Sequence, residues 1–121
     1  IAEYDGNFTF YKNLFALTSV NNNLGNIIPV SFSYGNYPNP FNPETTIEFS
    51  IPYNANISIN IYNSLGQLIT NLITNDFSAG IYKVHFNSSL FNLSSGIYFY
   101  TIKVNNFNNE KIYSGKMVLI K

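Results

Sequence analysis

Cysteine, tryptophan and arginine are absent from this sequence, and histidine and methionine occur once each. Without cysteine there is neither a disulfide framework nor a thiolate metal site. Without arginine, and with six lysines balanced by six acids, the chain cannot build the positive face that nucleic-acid binding requires. Charged residues make up only 10% of the chain, so neighbouring copies repel one another weakly. No apolar run approaches the length needed to span a bilayer. The start IAEYDGNFTF lacks the basic and then apolar segments of a signal peptide. Residue 1 is isoleucine, so the expectation is a processed protein or a fragment.

What is present is asparagine in abundance and 17% aromatic residues, mostly tyrosine and phenylalanine. That aromatic content argues against disorder and suits strands with one buried face. The length of 121 residues is that of one domain with a sizeable core.

Alternation with period two recurs along the chain, and helical periodicity is almost absent. Ile28, Val30, Phe32 and Tyr34 alternate, as do Ile47, Phe49 and Ile51, then Ile57, Ile59 and Ile61, then Tyr82, Val84 and Phe86. Residues 97–104 and 116–120 are apolar on both faces. Turn signals at 54–55, 64–66, 78–80, 94–96 and 105–109 separate these runs. Short strands at this spacing predict an all-β fold, a single antiparallel sandwich with no helix longer than two turns. The expected core is Phe41, Ile47, Phe49, Ile51, Ile57, Ile59, Ile61, Leu68, Val84, Phe86, Ile97, Phe99 and Leu119. Tyr62, Tyr98 and Tyr100 read as exposed strand tyrosines that pack on a neighbouring strand or subunit in preference to a sugar. The Asn-rich stretch 21–26 reads as a linker. It divides an N-terminal arm and linker, residues 1–26, from a body, residues 27–121.

Candidates for chemistry are few. His85, flanked by Val84 and Phe86, reads as a solvent-facing histidine. No serine sits in an elbow motif, and the six acids are scattered. Neither a metal cluster nor a phosphate or cofactor loop is recognisable, so the expectation is a non-enzymatic protein. Asn-x-Ser/Thr at Asn7, Asn56, Asn87 and Asn92 is expected by chance in so Asn-rich a chain.

The most distinctive stretch is Asn36-Tyr37-Pro38-Asn39-Pro40-Phe41-Asn42-Pro43, which leads into a strand. Its prolines fix φ and stiffen the segment, Phe41 offers an anchor, and the asparagines can bond local backbone. The stretch, with Thr45-Thr46-Ile47 and Ile51-Pro52, resembles the opening of type A C-terminal sorting domains, export signals of the bacterial type IX secretion system. Four further pieces follow in the family's order. They are 61–67 around Gly66, 78–82 around Gly80, 93–100 with Gly96 and Tyr98, and 116–121 from Lys116 to Lys121. Asn63 stands where the family often has Asp, and Gln67 where Arg is frequent.

The resemblance implies an immunoglobulin-like sandwich of about seven strands, engagement with the type IX machinery, and a secreted or outer-surface location in a Gram-negative bacterium. It also implies surface attachment. A second expectation comes from the residues of the arm. Phe8, Phe10, Leu14, Phe15, Leu17 and Val20 form an amphipathic, weakly charged segment. Such a strand can add to the sheet edge of another copy, making a homo-oligomer or an extracellular filament.

Overall fold

The computed structural model of the protein describes residues 2–4, 8–11, 29–107 and 109–121. The described residues form two antiparallel sheets packed face to face, the expected β-sandwich. The strands in chain order are β1 (Ala2–Tyr4), β2 (Phe8–Tyr11), β3 (Ser33–Tyr37), β4 (Glu44–Ile51), β5 (Ala55–Tyr62), β6 (Leu68–Phe77), β7 (Gly80–Asn87), β8 (Gly96–Asn106) and β9 (Asn109–Leu119). One sheet has the order β1-β2-β7-β4-β3 and the other β6-β5-β8-β9. A 3-10 turn, Ser88–Phe91, joins β7 to β8. Seven strands make the body, and the arm adds β1 and β2 to the edge of the first sheet.

β5 and β7 bury alternate residues throughout, and β4 does so from Thr45 to Phe49, because one face of each points into the sandwich. Ile47, Phe49, Ile51, Ile57, Ile59, Ile61, Val84 and Phe86 are all fully buried, as expected. Phe41 and Leu119 join them. Phe49 stacks on Tyr82 at 5.4 Å and meets the edge of Phe77 at 5.5 Å. Such offset and edge contacts suit aromatic quadrupoles.

Three expected core residues lie outside. Leu68 is 58% exposed, Ile97 43% and Phe99 38%. β8 is shifted by one residue from the expected facing: Tyr98, Tyr100, Ile102 and Val104 are buried instead. Tyr98 and Tyr100, expected on the surface, are therefore core residues. The reason lies further along the strand. Residues 97–100 are apolar on both faces, but Lys103 and Asn105 share a face with Ile97 and Phe99 and must reach water. A one-residue change of facing flips the whole set. Leu68 falls at the start of β6, an edge strand whose pairing with β5 slips at two points.

The first body strand also differs from expectation. It spans Ser33–Tyr37 and takes in the first two residues of the proline stretch. Val30 is 95% exposed and lies before the strand. Ile28 falls outside the described residues.

The arm pairs in cis. β2 runs antiparallel to β7, with Phe8 opposite Val84 and Tyr11 opposite Ile81. For Phe8 and Phe10 only this backbone pairing is described. Leu14, Phe15, Leu17 and Val20 lie outside the described residues. His85 faces outward from β7, where its Nδ1 and the Thr46 hydroxyl share a hydrogen bond of 2.9 Å.

Candidate functional site

The proline loop is stitched to the end of the chain. Phe41 donates its N–H to the Val118 carbonyl at 2.9 Å, and its own carbonyl accepts the Ile120 N–H at 3.0 Å. The Asn39 carboxamide extends this ladder as a peptide group would. Its Nδ2 donates to the Lys116 carbonyl and its Oδ1 accepts the Val118 N–H, both at 3.0 Å. These four bonds cover the open edge of β9 where it is most apolar. An uncovered edge there would be a template for association. Below them the Phe41 ring, 2% exposed, meets Phe86 edge-on at 6.2 Å.

The loop is held just as firmly at its base. The buried Thr45 hydroxyl donates to the Pro38 carbonyl at 2.9 Å and accepts from Asn36 Nδ2 at 3.2 Å. The Pro43 carbonyl accepts both the N–H and the hydroxyl of Ser88, each at 2.9 Å. Thr45 and Ser88 are thus buried polar residues with every partner supplied. Nothing in the run of prolines signalled either role.

The other motif pieces fall at defined places. Gly66 occupies the turn between β5 and β6 with φ +85, a left-handed conformation that favours glycine. Asn63 folds that turn, its Oδ1 accepting the N–H groups of Leu65 and Gln67, both at 2.9 Å. Its Nδ2 donates to Gln67 Oε1 at 2.7 Å. Gly80 and Gly96 open β7 and β8 within two copies of one pattern, Ser-x-Gly-Ile-Tyr. In each copy the tyrosine hydroxyl donates to the serine carbonyl four residues back: Tyr82 to Ser78 at 2.6 Å and Tyr98 to Ser94 at 2.7 Å. The pattern is visible in the sequence at 78–82 and 94–98.

Strand directions decide which pieces meet. The proline loop, the Gly66 turn, Gly96 with Tyr98, and Lys116–Lys121 gather at one end of the sandwich. Gly80 lies at the opposite end, paired with Ile51. At the gathered end Lys121 donates its N–H to the Ser95 hydroxyl at 2.9 Å. Pro38, Asn39, Pro40, Asn42, Pro43, Lys116 and Lys121 are exposed, whereas Phe41 and Tyr98 are core.

The outer face of the β6-β5-β8-β9 sheet is divided. Near the motif end its registers align Leu68, Tyr62, Phe99 and Lys116 in one row and Ile97 with Val118 in the next. Leu68, Phe99 and Ile97 are exposed there, with Ile120 (53% exposed) beyond them. Further along, the rows are mostly asparagine, serine and threonine, with Lys103 and the exposed Ile112 among them. The acids of this sheet, Asp76 and Glu110, lie at the far end, opposite Asn56 and Asn105. The motif end of this face is therefore apolar and cationic, with no acid on it.

A family model described as the secretion system C-terminal sorting domain matches residues 36–119. The chain belongs to this family of type IX sorting domains, a family of export signals rather than of enzymes. Neither a curated protein nor a solved structure matches the chain. Membership carries a sorting role, a secreted or cell-surface protein, and interaction with the type IX machinery. Among the described residues no helix is long and apolar enough to cross a membrane.

Proposed function

We propose that the motif end of the sandwich is what the secretion machinery reads. Its parts are the exposed residues of the proline loop, Lys116–Lys121, and the apolar strip of Leu68, Ile97 and Phe99. In this reading the module carries its protein across the outer membrane of a Gram-negative bacterium and leaves it held at the surface. The observation that carries the reading is the ladder between Asn39, Phe41 and the end of β9. It makes one surface from the first and last pieces of the sorting sequence. On the β6-β5-β8-β9 face the apolar strip lies beside Lys116 with no acid near it, which fits a partner surface that is itself apolar and acidic.

Deleting 116–121 is a poor test, because it also removes Met117 and Leu119, which are 0% and 1% exposed. The triple variant Lys116→Ser, Ile120→Ser, Lys121→Ser changes only exposed side chains. Expressed in a type IX host, it is expected to fold and accumulate in the periplasm. Surface levels equal to the unaltered protein would overturn the reading.

A second reading, a filament subunit, rests on the ladder between β2 and β7. In the described chain that ladder forms within one molecule. Formed instead with β7 of a neighbour, it would join copies head to tail. Deletion of residues 1–20 would then convert a polymer to a monomer, measured as mass in solution. A full-length chain that stays monomeric at high concentration sinks this reading.

A further inference from the structure

On the outer face of the β1-β2-β7-β4-β3 sheet, away from the motif end's apolar strip, lies a shallow cleft of about 370 Å³. Ser33, Gly35, Tyr37, Glu48, Ser50 and Ile81 supply its floor and walls. Gly35 leaves the cleft open: a Cβ placed there would meet nothing within 4 Å. The Tyr37 ring, 44% exposed, forms one wall, and the Lys83 ammonium sits 5.5 Å from its centroid.

Glu48 stands directly opposite Lys83 in the β4–β7 register. The two nevertheless form no salt bridge, and the Lys83 ammonium lies by the tyrosine instead. The Glu48 carboxylate has neither an ion-pair nor a hydrogen-bond partner among the described residues. The Ser33 and Ser50 hydroxyls bond each other at 2.6 Å. One of the two donates in that bond, so the other keeps its proton for a further acceptor.

The cleft thus combines a flat aromatic wall, an aliphatic wall, an acceptor without a partner among the described residues and a spare hydroxyl donor. A hydroxylated ring matches this set. Its C–H face packs on an aromatic ring, and adjacent hydroxyls bond a carboxylate and a donor together. We propose that this cleft binds one hexose unit of a neutral glycan, with Tyr37 as platform and Glu48 as the acceptor for vicinal hydroxyls. The site is shallow, so affinity for a single sugar lies in the millimolar range.

The test is a titration of the isotope-labelled full chain with glucose, galactose, mannose and N-acetylglucosamine, followed by amide NMR shifts. At least one sugar is expected to shift Gly35, Tyr37, Glu48, Ser50 and Ile81 together. Gly35→Val fills the floor from a Cβ position with nothing within 4 Å, so it is expected to keep the folded spectrum and weaken binding by roughly tenfold or more. Tyr37→Ala and Glu48→Gln are expected to weaken it as well. The proposal is overturned if no sugar shifts these residues, or if Gly35→Val keeps full binding. It is also overturned if arginine amide, and no sugar, produces the shifts, because the cleft would then be a cation site.

Discussion

Replacing Phe41 with alanine is expected to lower stability by about 3–5 kcal/mol, the cost of emptying a fully buried aromatic site. For a chain of this size that corresponds to a fall in Tm of roughly 10–20 °C. The ring is 2% exposed and packs against Phe86, while the backbone of the same residue bonds both Val118 and Ile120. Loss of the anchor therefore loosens the cover on β9 as well as the core. Thermal unfolding followed by circular dichroism measures the first effect. Amide hydrogen exchange at Val118 and Ile120 measures the second, and both amides are expected to lose protection. Asn39→Ala makes a useful contrast. It removes two exposed hydrogen bonds, which water can replace, and is expected to cost only about 1 kcal/mol. A Phe41 variant as stable as the parent would show that the loop does not depend on its anchor.

Gly115→Val is expected to destabilise the β6-β5-β8-β9 sheet by overpacking. Gly115 sits opposite Tyr100 in the β8–β9 pairing, and the tyrosine ring lies across the glycine, so that any Cβ there would overlap it. Tyr100 is 2% exposed and also meets Tyr34 edge-on at 6.2 Å. Accommodating valine means expelling the ring or displacing β9, and overpacking of this kind costs about 1–3 kcal/mol or more.

The Tyr100 hydroxyl provides the readout. Burial, with a smaller contribution from Tyr34, pushes its pKa from 10.0 up to about 12. The folded state therefore holds this proton more tightly than the unfolded chain does. The associated stability is full below pH 10 and is lost as pH rises toward 12. In the unaltered protein one tyrosine is expected to ionise late in an ultraviolet titration. In Gly115→Val that late step is expected to move back toward 10, and alkaline unfolding to begin at lower pH. An unchanged titration would mean that the ring keeps its place and that β9 has moved instead.

The class of fold, the core of β4, β5 and β7, and the sorting family were all legible in the sequence by itself. Period-two alternation with polar residues opposite leaves only one facing for Ile47 to Ile51, Ile57 to Ile61 and Val84 to Phe86. The motif pieces from Asn36 to Lys121 are local strings, readable without knowing where they lie in space. The tertiary structure alone decided three things. Residues 97–100 are apolar on both faces, so only the polar positions further along β8, set against the opposite sheet, could place Tyr98 and Tyr100 inside. The partners of Asn39 and Phe41 are 77 to 79 residues away in the chain, and no local pattern encodes so distant a bond. The edge that β2 takes, that of β7, was likewise closed to the sequence. An amphipathic strand can add to any open sheet edge by the same backbone bonds, and no local pattern says which.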